Sequence, residues 1–307
     1  MSGLKEVLRR RLPLLLIVAV VILGAVLVLL RQGATQTRLT PYIAQITIKG
    51  TIDYASSSIF GATPGVEEYI KLVKQAEEDP MAKAVLLVFD SPGGTVTASD
   101  ELYQAVKELS QKKVVVSYAK GLLASGAYMA ALPSRAILAS PTSEVGSVGV
   151  IVTVLNVGNL LGKIGVTVYT FKSGELKDVG SPYRPMTEED AKVLEEMVNY
   201  YFGLFKGRVL EHRGNVSSEV FSGRPFTPDK ALQAGLIDKV CTYQEAVNYT
   251  RALANLPETA EVVELKPRTP TLLDLLLGTY SGAGNRLVIP SIVVLYMWPP
   301  PVAVILP

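Results

Sequence analysis

The chain has 307 residues, 49% of them hydrophobic and 19% charged, enough apolar material for one large domain or two small ones with a sizeable core. Its formal net charge of +2, with no basic patch interleaved with aromatics, argues against a nucleic-acid partner. Cys241 is the single cysteine, which excludes an intrachain disulfide, leaves the redox compartment open and offers no zinc-ligand spacing.

The first element reads as a membrane anchor. Leu12 to Leu30 are 19 residues without a charge; as a helix they span about 28 Å, near the hydrocarbon thickness of a bilayer. Lys5, Arg9, Arg10 and Arg11 precede the run, while Arg31 and Arg38 follow it more sparsely. The positive-inside bias therefore puts residues 1–11 in the cytoplasm and everything beyond the span outside. A cleaved signal peptide is the rival reading, but its apolar region is usually shorter and no clean A-x-A site follows Leu30. Residues 31–40 read as a polar linker.

Strands and helices then alternate. Tyr42 to Ile48 alternates apolar and polar residues, as a strand does. Val66 to Ala76 has helical spacing through Val66, Tyr69, Ile70 and Val73. Ala84 to Phe89 is a solid apolar run, the pattern of a strand buried on both faces. Ala98 to Leu109 is helical again. The strand Val114–Tyr118, a helix of small residues from Ala124 to Leu132, and the short strands Ala136–Ala139 and Val166–Phe171 follow. Thr187 to His212 is a long helix; Glu188, Glu189 and Asp190 suit the positive end of its dipole, and it stops before Gly214. Lys230–Gly235 and Tyr243–Leu253 close the series. The order predicts an α/β domain over 41–255, with a largely parallel sheet and flanking helices.

Residues 256–307 form a proline-containing extension with an apolar tail. Pro290 and Pro299–Pro301 remove amide donors and argue against a second spanning helix; a short strand followed by polyproline II fits better. The tail either packs on its own domain or a neighbouring subunit, or contacts the membrane or a substrate groove.

Four segments carry candidate chemistry. Phe89-Asp90-Ser91-Pro92-Gly93-Gly94-Thr95 lies directly after the buried strand, where parallel sheets place their sites. Its paired glycines let backbone amides approach a ligand and hold an oxyanion, although a plain tight turn would read the same. No Gly-Lys-Ser/Thr follows, so it is not a P-loop. Gly121 to Ala127 sets Ser125 at a strand-to-helix turn, where a nucleophile is often displayed, with the Gly126 amide as a second oxyanion donor; a simple helix start is the plainer alternative. The G-x-S-x-G elbow is absent, because Leu123 replaces its first glycine. The third segment is Gly146-Ser147-Val148-Gly149-Val150-Ile151. The fourth is Lys172-Ser173-Gly174-Glu175-Leu176-Lys177-Asp178, followed by Ser181-Pro182-Tyr183-Arg184. Singly, both read as loops. The only histidine, His212, falls in the last turn of the long helix, where a cation suits the dipole. A Ser-His-Asp triad is therefore the weaker arrangement.

In order and spacing together, the four segments resemble the signal peptide peptidases of the SppA type, membrane-anchored serine proteases with a ClpP/crotonase fold. The resemblance runs from about Tyr42 to about Asn248. It implies Ser125 as nucleophile and Lys177, 52 positions further on, as general base. Ser147, 22 positions after Ser125, would orient that lysine, and Gly93 and Gly126 would supply the oxyanion amides. Gly223-Arg224-Pro225-Phe226-Thr227 and Ala234-Gly235-Leu236-Ile237-Asp238 look like the family's closing segment. The implied substrates are peptides and proteins: signal-peptide remnants in the lipid membrane, and misfolded secreted chains. The implied assembly is a homo-oligomeric ring, in which Lys177 serves either its own Ser125 or a neighbour's. No cofactor or metal is expected.

A lysine acts as a base only when its pKa falls from about 10.4 toward roughly 7–8. Desolvation supplies such a shift. Leu176 and the strands Val148–Val154 and Val166–Phe171 are the expected walls, with a bound peptide completing the seal. Asp178 would oppose the shift by pairing, so it is expected to point away, toward Arg184. Lys172 is the rival base. The substrate is expected to lie extended, pairing backbone to backbone near Gly93–Thr97. Three other identities compete: an NfeD-type membrane-associated protease, with a shorter Ser–Lys spacing and further hydrophobic spans; a non-catalytic crotonase-like scaffold on the membrane; and an acyl-CoA crotonase, against which the export signal and the Lys-Asp/Ser-Pro-x-Arg segment argue.

Overall fold

A parallel sheet buried on both faces at its centre organises the chain. In the computed structural model the described residues are 39–54, 56–58, 61–267 and 294–297, with 56–58, 61–63 and 294–297 described as backbone alone. The expected anchor at 12–30 lies outside them. Among the described residues no helix is long and apolar enough to cross a membrane.

The first half runs β1 (Tyr42–Lys49), the hairpin β2 (Ser56–Ser58) and β3 (Gly61–Thr63), α1 (Val66–Glu78), β4 (Ala82–Ser91), β5 (Gly93–Thr95), α2 (Val96–Ser110), β6 (Val114–Ala124), α3 (Gly126–Ala131), β7 (Ala136–Ala139), β8 (Glu144–Gly146) and β9 (Ile151–Val152). The second half holds α4 (Gly158–Lys163), a 3-10 turn (Glu175–Asp178), α5 (Glu188–Arg213), β10 (Pro225–Phe226), α6 (Pro228–Gln233), β11 (Lys239–Val240), α7 (Tyr243–Leu253), β12 (Val262–Leu265) and β13 (Val294–Met297). The main sheet has the order β10-β8-β6-β4-β1-β12, with β7 also on β6 and β11 on β7. All its pairings are parallel except β10 with β8.

The unbroken apolar run of β4 follows from its position. Val85, Leu87 and Phe89 enter the core beneath α1 and α2, while Ala84, Leu86 and Val88 enter the core beneath α7. With helices on both faces, neither register of the strand meets water. Tyr69 and Val73 of α1 and Leu102 and Val106 of α2 fill the first core; Ala246 and Val247 of α7 fill the second. The long helix α5 starts as its acidic first turn predicts. Thr187 Oγ1 accepts from the Asp190 amide (3.1 Å), and Asp190 Oδ2 accepts from the Thr187 amide (2.9 Å), a capping box that satisfies two end amides.

Three expectations change. β6 continues to Ala124 rather than ending at Tyr118, because it changes neighbours: Val116–Ala119 lie beside β7 and Leu122–Ala124 beside β8. Val166–Phe171 forms no strand. Its alternating apolar residues pair with no strand among the described residues, and Phe171 is 95% and Tyr169 79% exposed. The folded unit also runs past residue 255, since β12 adds in parallel to β1, Ile43 opposite Val262 through Ile46 opposite Leu265. A second, three-stranded sheet has the order β5-β13-β9, so part of the apolar tail is indeed a short strand.

Candidate active site

Ser125 follows the last residue of β6 and caps α3, with φ 52° and ψ −121°. A side chain in this glycine-favoured region costs about 1–3 kcal/mol and persists only where the surroundings impose it. Here they do. The Ser125 amide donates to the Gly146 carbonyl (2.7 Å), and the Ser125 carbonyl accepts from the Met129 amide (3.0 Å). Every residue of α3 is buried, which explains its alanines and glycine beyond a helix start. Tyr128 anchors the helix by donating its hydroxyl to the Leu236 carbonyl (2.8 Å) in the closing segment; burial pushes that phenol's pKa up. Ser125 is 1% exposed, and its Oγ donates to the Gly149 carbonyl at 3.4 Å.

The segment carrying Ser147 is brought alongside by the parallel pairing of Ala124 with Gly146. Ser147 is buried, also has a positive φ of 50°, and donates its amide to the Arg224 carbonyl (3.0 Å). A Cβ on Gly146 would stand 3.0 Å from the Phe226 ring, so the closing segment packs directly on this turn.

The glycine turn reaches the site through β4, whose Ser91 pairs with Leu123 of β6. The Gly93 carbonyl accepts from the Ile52 amide (2.8 Å), and the Thr95 amide donates to the Ile52 carbonyl (3.1 Å). Strand alternation therefore turns the N–H and C=O of Gly94 to the opposite edge, facing the groove. The Gly93 amide donates instead to Ser91 Oγ (3.2 Å). The groove-facing donor of this turn is thus Gly94, one residue later than the sequence placed it; Gly93 shapes the turn with its φ of 93°. Gly94 admits no side chain, since a Cβ would lie 1.7 Å from the Ile52 carbonyl oxygen. Gly126 opens α3, so its amide belongs to the first-turn donors that have no intrahelical acceptor.

Lys177 is not brought to Ser125 within the chain. It sits exposed on the 3-10 turn, its amide donating to the Gly174 carbonyl (3.2 Å), and among the described residues no hydrogen bond joins its amine to Ser125. Of the expected apolar walls, Val166, Val168, Tyr169, Phe171 and Leu176 are exposed, whereas Val148 is buried. Asp178 does point away. Its Oδ2 accepts from Arg184 Nε (3.0 Å) and its Oδ1 from Arg184 Nη2 (2.8 Å). Lys172, the rival base, is engaged by the same Asp178 Oδ1 and by the Glu175 carbonyl, both at 2.7 Å. Arg184 also donates to Asp190 Oδ1 (2.9 Å), so it fastens the lysine turn to the start of α5. Its guanidinium holds both carboxyls below the usual carboxylate range.

His212 takes no part. Its Nε2 lies 2.9 Å from the Tyr103 hydroxyl, and burial lowers its pKa. The cation expected there is supplied by Arg213, which donates to the Gly235 carbonyl and to both Asp238 oxygens, each at 2.9 Å.

Between these parts runs a groove with β5 on one side and β9 on the other. β13 lies between them, antiparallel to both. Beside the Ser147–Ile151 segment opens a cavity of about 340 Å³, lined by Val148, Val150, Ile151, Val198, Phe202 and Phe221.

A buried serine held at a strained strand-to-helix turn, a glycine turn with an amide facing it and a groove that accepts an extended strand together define an α/β serine peptidase. The chain belongs to peptidase family S49. Residues 107–257 match that family, and a "Putative signal peptide peptidase SppA" of Enterococcus faecium is 31% identical over 255 residues, 81% of this chain and 73% of that protein. A protease-named protein of Methanocaldococcus jannaschii is 42% identical over 199 residues, 64% of each chain. The chloroplastic serine protease SPPA of Arabidopsis thaliana is 30% identical over 78% of this chain and 37% of its own length. Among solved structures, a mutant of the 1510-N membrane-bound stomatin-specific protease is 18% identical with a TM-score of 0.49, over 75% of this chain and 100% of that one.

Proposed function

We propose that this protein is a single-pass membrane serine endopeptidase whose Ser125 is activated by Lys177 of a neighbouring subunit. The observation that carries the reading is the Ser125 turn: a buried, strained serine beside a groove whose β5 edge, at Gly94, accepts an extended strand. Ser125 Oγ attacks a peptide carbonyl while a neutral lysine takes its proton. The Gly94 and Gly126 amides hold the oxyanion, the lysine returns the proton to the leaving amine, and it then activates water for deacylation. Ser147, buried near Ser125, would accept a hydrogen bond from the lysine amine and aim its lone pair.

The neighbour's lysine is favoured because Lys177 is exposed within its own chain. The same stretch exposes Leu160, Ile164, Tyr169 and Phe171. Exposed apolar clusters of this kind mark protein contacts. Seated on the next subunit's groove in a ring, they would exclude water from Lys177, which is the condition a lysine base requires. The apolar cavity beside Ser147 fits hydrophobic side chains. The uncharged run Leu12–Leu30 and the SppA-named relatives support signal-peptide remnants in the membrane as substrates, with the N-terminus cytoplasmic and the peptidase domain outside.

The test mixes two inactive variants. Ser125→Ala and Lys177→Ala should each fail to cleave an unfolded apolar protein, while Lys172→Ala remains active. Mixed and reassembled, the two inactive variants should regain activity, because some subunit pairs join an intact serine to an intact lysine. A mixture that stays inactive, while wild type treated identically is active, assigns the dyad to one chain. Cleavage by Lys177→Ala alone removes it from the mechanism.

A further inference from the structure

Lys177 shares its turn with a carboxylate that would disable it as a base. Asp178 follows it directly and its side chain is only 14% exposed. Glu175, on the same turn, stands in solvent, where its charge is screened. A carboxylate against a lysine amine favours the protonated form, and a protonated lysine takes no proton. When Lys177 is seated in a neighbour's groove, Asp178 is carried in beside it, to a place where water no longer weakens the attraction.

Both oxygens of Asp178 are already engaged within the single chain. Arg184 forks the carboxylate, from Nε to Oδ2 (3.0 Å) and from Nη2 to Oδ1 (2.8 Å), the strong geometry for such a pair. Its Nη2 also reaches the Asp178 carbonyl (3.4 Å). Lys172 adds one bond, to Oδ1 (2.7 Å). Arg184 and Lys172 are the charges that act on Asp178.

Arg184 is itself fixed from two further elements. On α5 it grips both oxygens of Asp190, which is 1% exposed and belongs to the capping box; a carboxylate buried this far needs its cation. The other acidic groups of that first turn, Glu188 and Glu189, are exposed. In the β9–α4 connection the neutral Asn156 donates its Nδ2 to the Arg184 carbonyl, and the Val157 amide donates to the Pro182 carbonyl (2.7 Å). A Cβ on Gly158 would stand 2.5 Å from the Tyr183 carbonyl oxygen, so the two segments lie in close contact. This connection leads back through β9 to the Ser147 segment.

We propose that Arg184 is a positioning residue of the peptidase reaction: it holds the Asp178 carboxylate off the Lys177 amine and fixes the lysine turn to α5 and to the β9–α4 connection. The inference rests on the reading of Lys177 as the base. Arg184 acts on the reaction through Asp178. A lysine in its place would not substitute, because one ammonium cannot fork a carboxylate while serving a second.

The experiment records kcat/KM for cleavage of β-casein, an unfolded protein, by the full chain in detergent, from about pH 6 to about pH 10. The acid limb of this profile follows loss of the proton from the base. Circular dichroism checks that each variant is folded at both ends of the range. In Arg184→Gln the freed carboxylate should move the acid limb up by about one pH unit, about a tenfold loss along the limb that disappears at the alkaline plateau. Arg184→Lys should share the shift. Asp178→Asn should move the limb the other way, since Arg184 and Lys172 then stand beside the lysine uncompensated. Arg184→Gln combined with Asp178→Asn should return it to within about half a unit of wild type. Lys172→Ala, which removes one bond and leaves the fork, should move it less than Arg184→Gln.

An equal loss at every pH in Arg184→Gln, with the limb in place, makes the clamp merely structural and overturns the inference. So does a displaced limb that the added Asp178→Asn leaves displaced. Where Arg184→Gln does not fold, the Asp178→Asn profile decides, and a limb unmoved or raised there overturns the inference. Any of these results beside an inactive Lys177→Ala leaves the peptidase reading standing. Cleavage by Lys177→Ala with the wild-type limb overturns both.

Discussion

Replacing Ser125 by glycine should stabilise the fold relative to replacing it by alanine. Both variants lose Oγ and its long hydrogen bond to the Gly149 carbonyl (3.4 Å). They differ in the Cβ, and the backbone at φ 52°, ψ −121° lies where a Cβ costs about 1–3 kcal/mol. Glycine returns about 0.5–1 kcal/mol of that through the greater freedom of its unfolded chain. The balance is about 0.5–2 kcal/mol in favour of glycine, or about 1–8 °C in Tm for a domain of this size. Thermal unfolding of the two variants, followed by circular dichroism under identical conditions, reads the difference directly, and neither should retain peptidase activity. A glycine variant that melts at or below the alanine variant would refute the claim that strain is stored at the nucleophile.

Gly94→Ala should abolish peptidase activity and destabilise the fold by about 1–3 kcal/mol, because the added Cβ would lie 1.7 Å from the Ile52 carbonyl oxygen; normal turnover would show that the turn has room to shift. Tyr128→Phe leaves the buried Leu236 carbonyl without its 2.8 Å donor, so denaturant unfolding should report a loss of about 1–3 kcal/mol, and a loss below about 0.5 kcal/mol, the low end for a net hydrogen bond, contradicts the anchoring role. Arg184→Gln should move acid unfolding to higher pH. Asp178 and Asp190 have lowered folded-state pKa values, so their stabilisation is present above the ordinary carboxylate range and is lost as pH falls through the lowered values. Without the guanidinium both carboxyls return toward the ordinary range, so their stabilisation is already missing at neutral pH and the less stable variant reaches its acid midpoint at a higher pH. Melting temperatures from about pH 6 down to about pH 2 check this, and coincident acid limbs for variant and wild type would rule it out.

Much of the architecture was legible from neighbouring residues. The solid run Ala84–Phe89 announced a strand covered on both faces, and Thr187 with Asp190 announced the start of α5. The turning of Asp178 toward Arg184 was foreseen from charge alone, since both residues sit on one short loop. Ser125 was visible as a serine among small residues at the end of a strand. Its positive φ was not, because that depends on the bond from its amide to Gly146, supplied by a strand formed later in the chain.

The parts that escaped the sequence share a cause: each depends on a partner far along the chain or beyond it. Whether Gly93 or Gly94 turns its amide to the groove is decided by Ile52, which takes one edge of β5 and leaves the other. The alternation in Val166–Phe171 is a strand pattern that pairs with no strand among the described residues, and its side chains stay exposed. The tail read equally well as packing or as a groove ligand until β5 and β9 were seen to leave two edges one strand apart. Periodicity and capping are set by residues within a turn or two of each other, so local composition determines them. The direction of an amide, the filling of a groove and the burial of a lysine are set by long-range pairing, which exists only once the chain has folded.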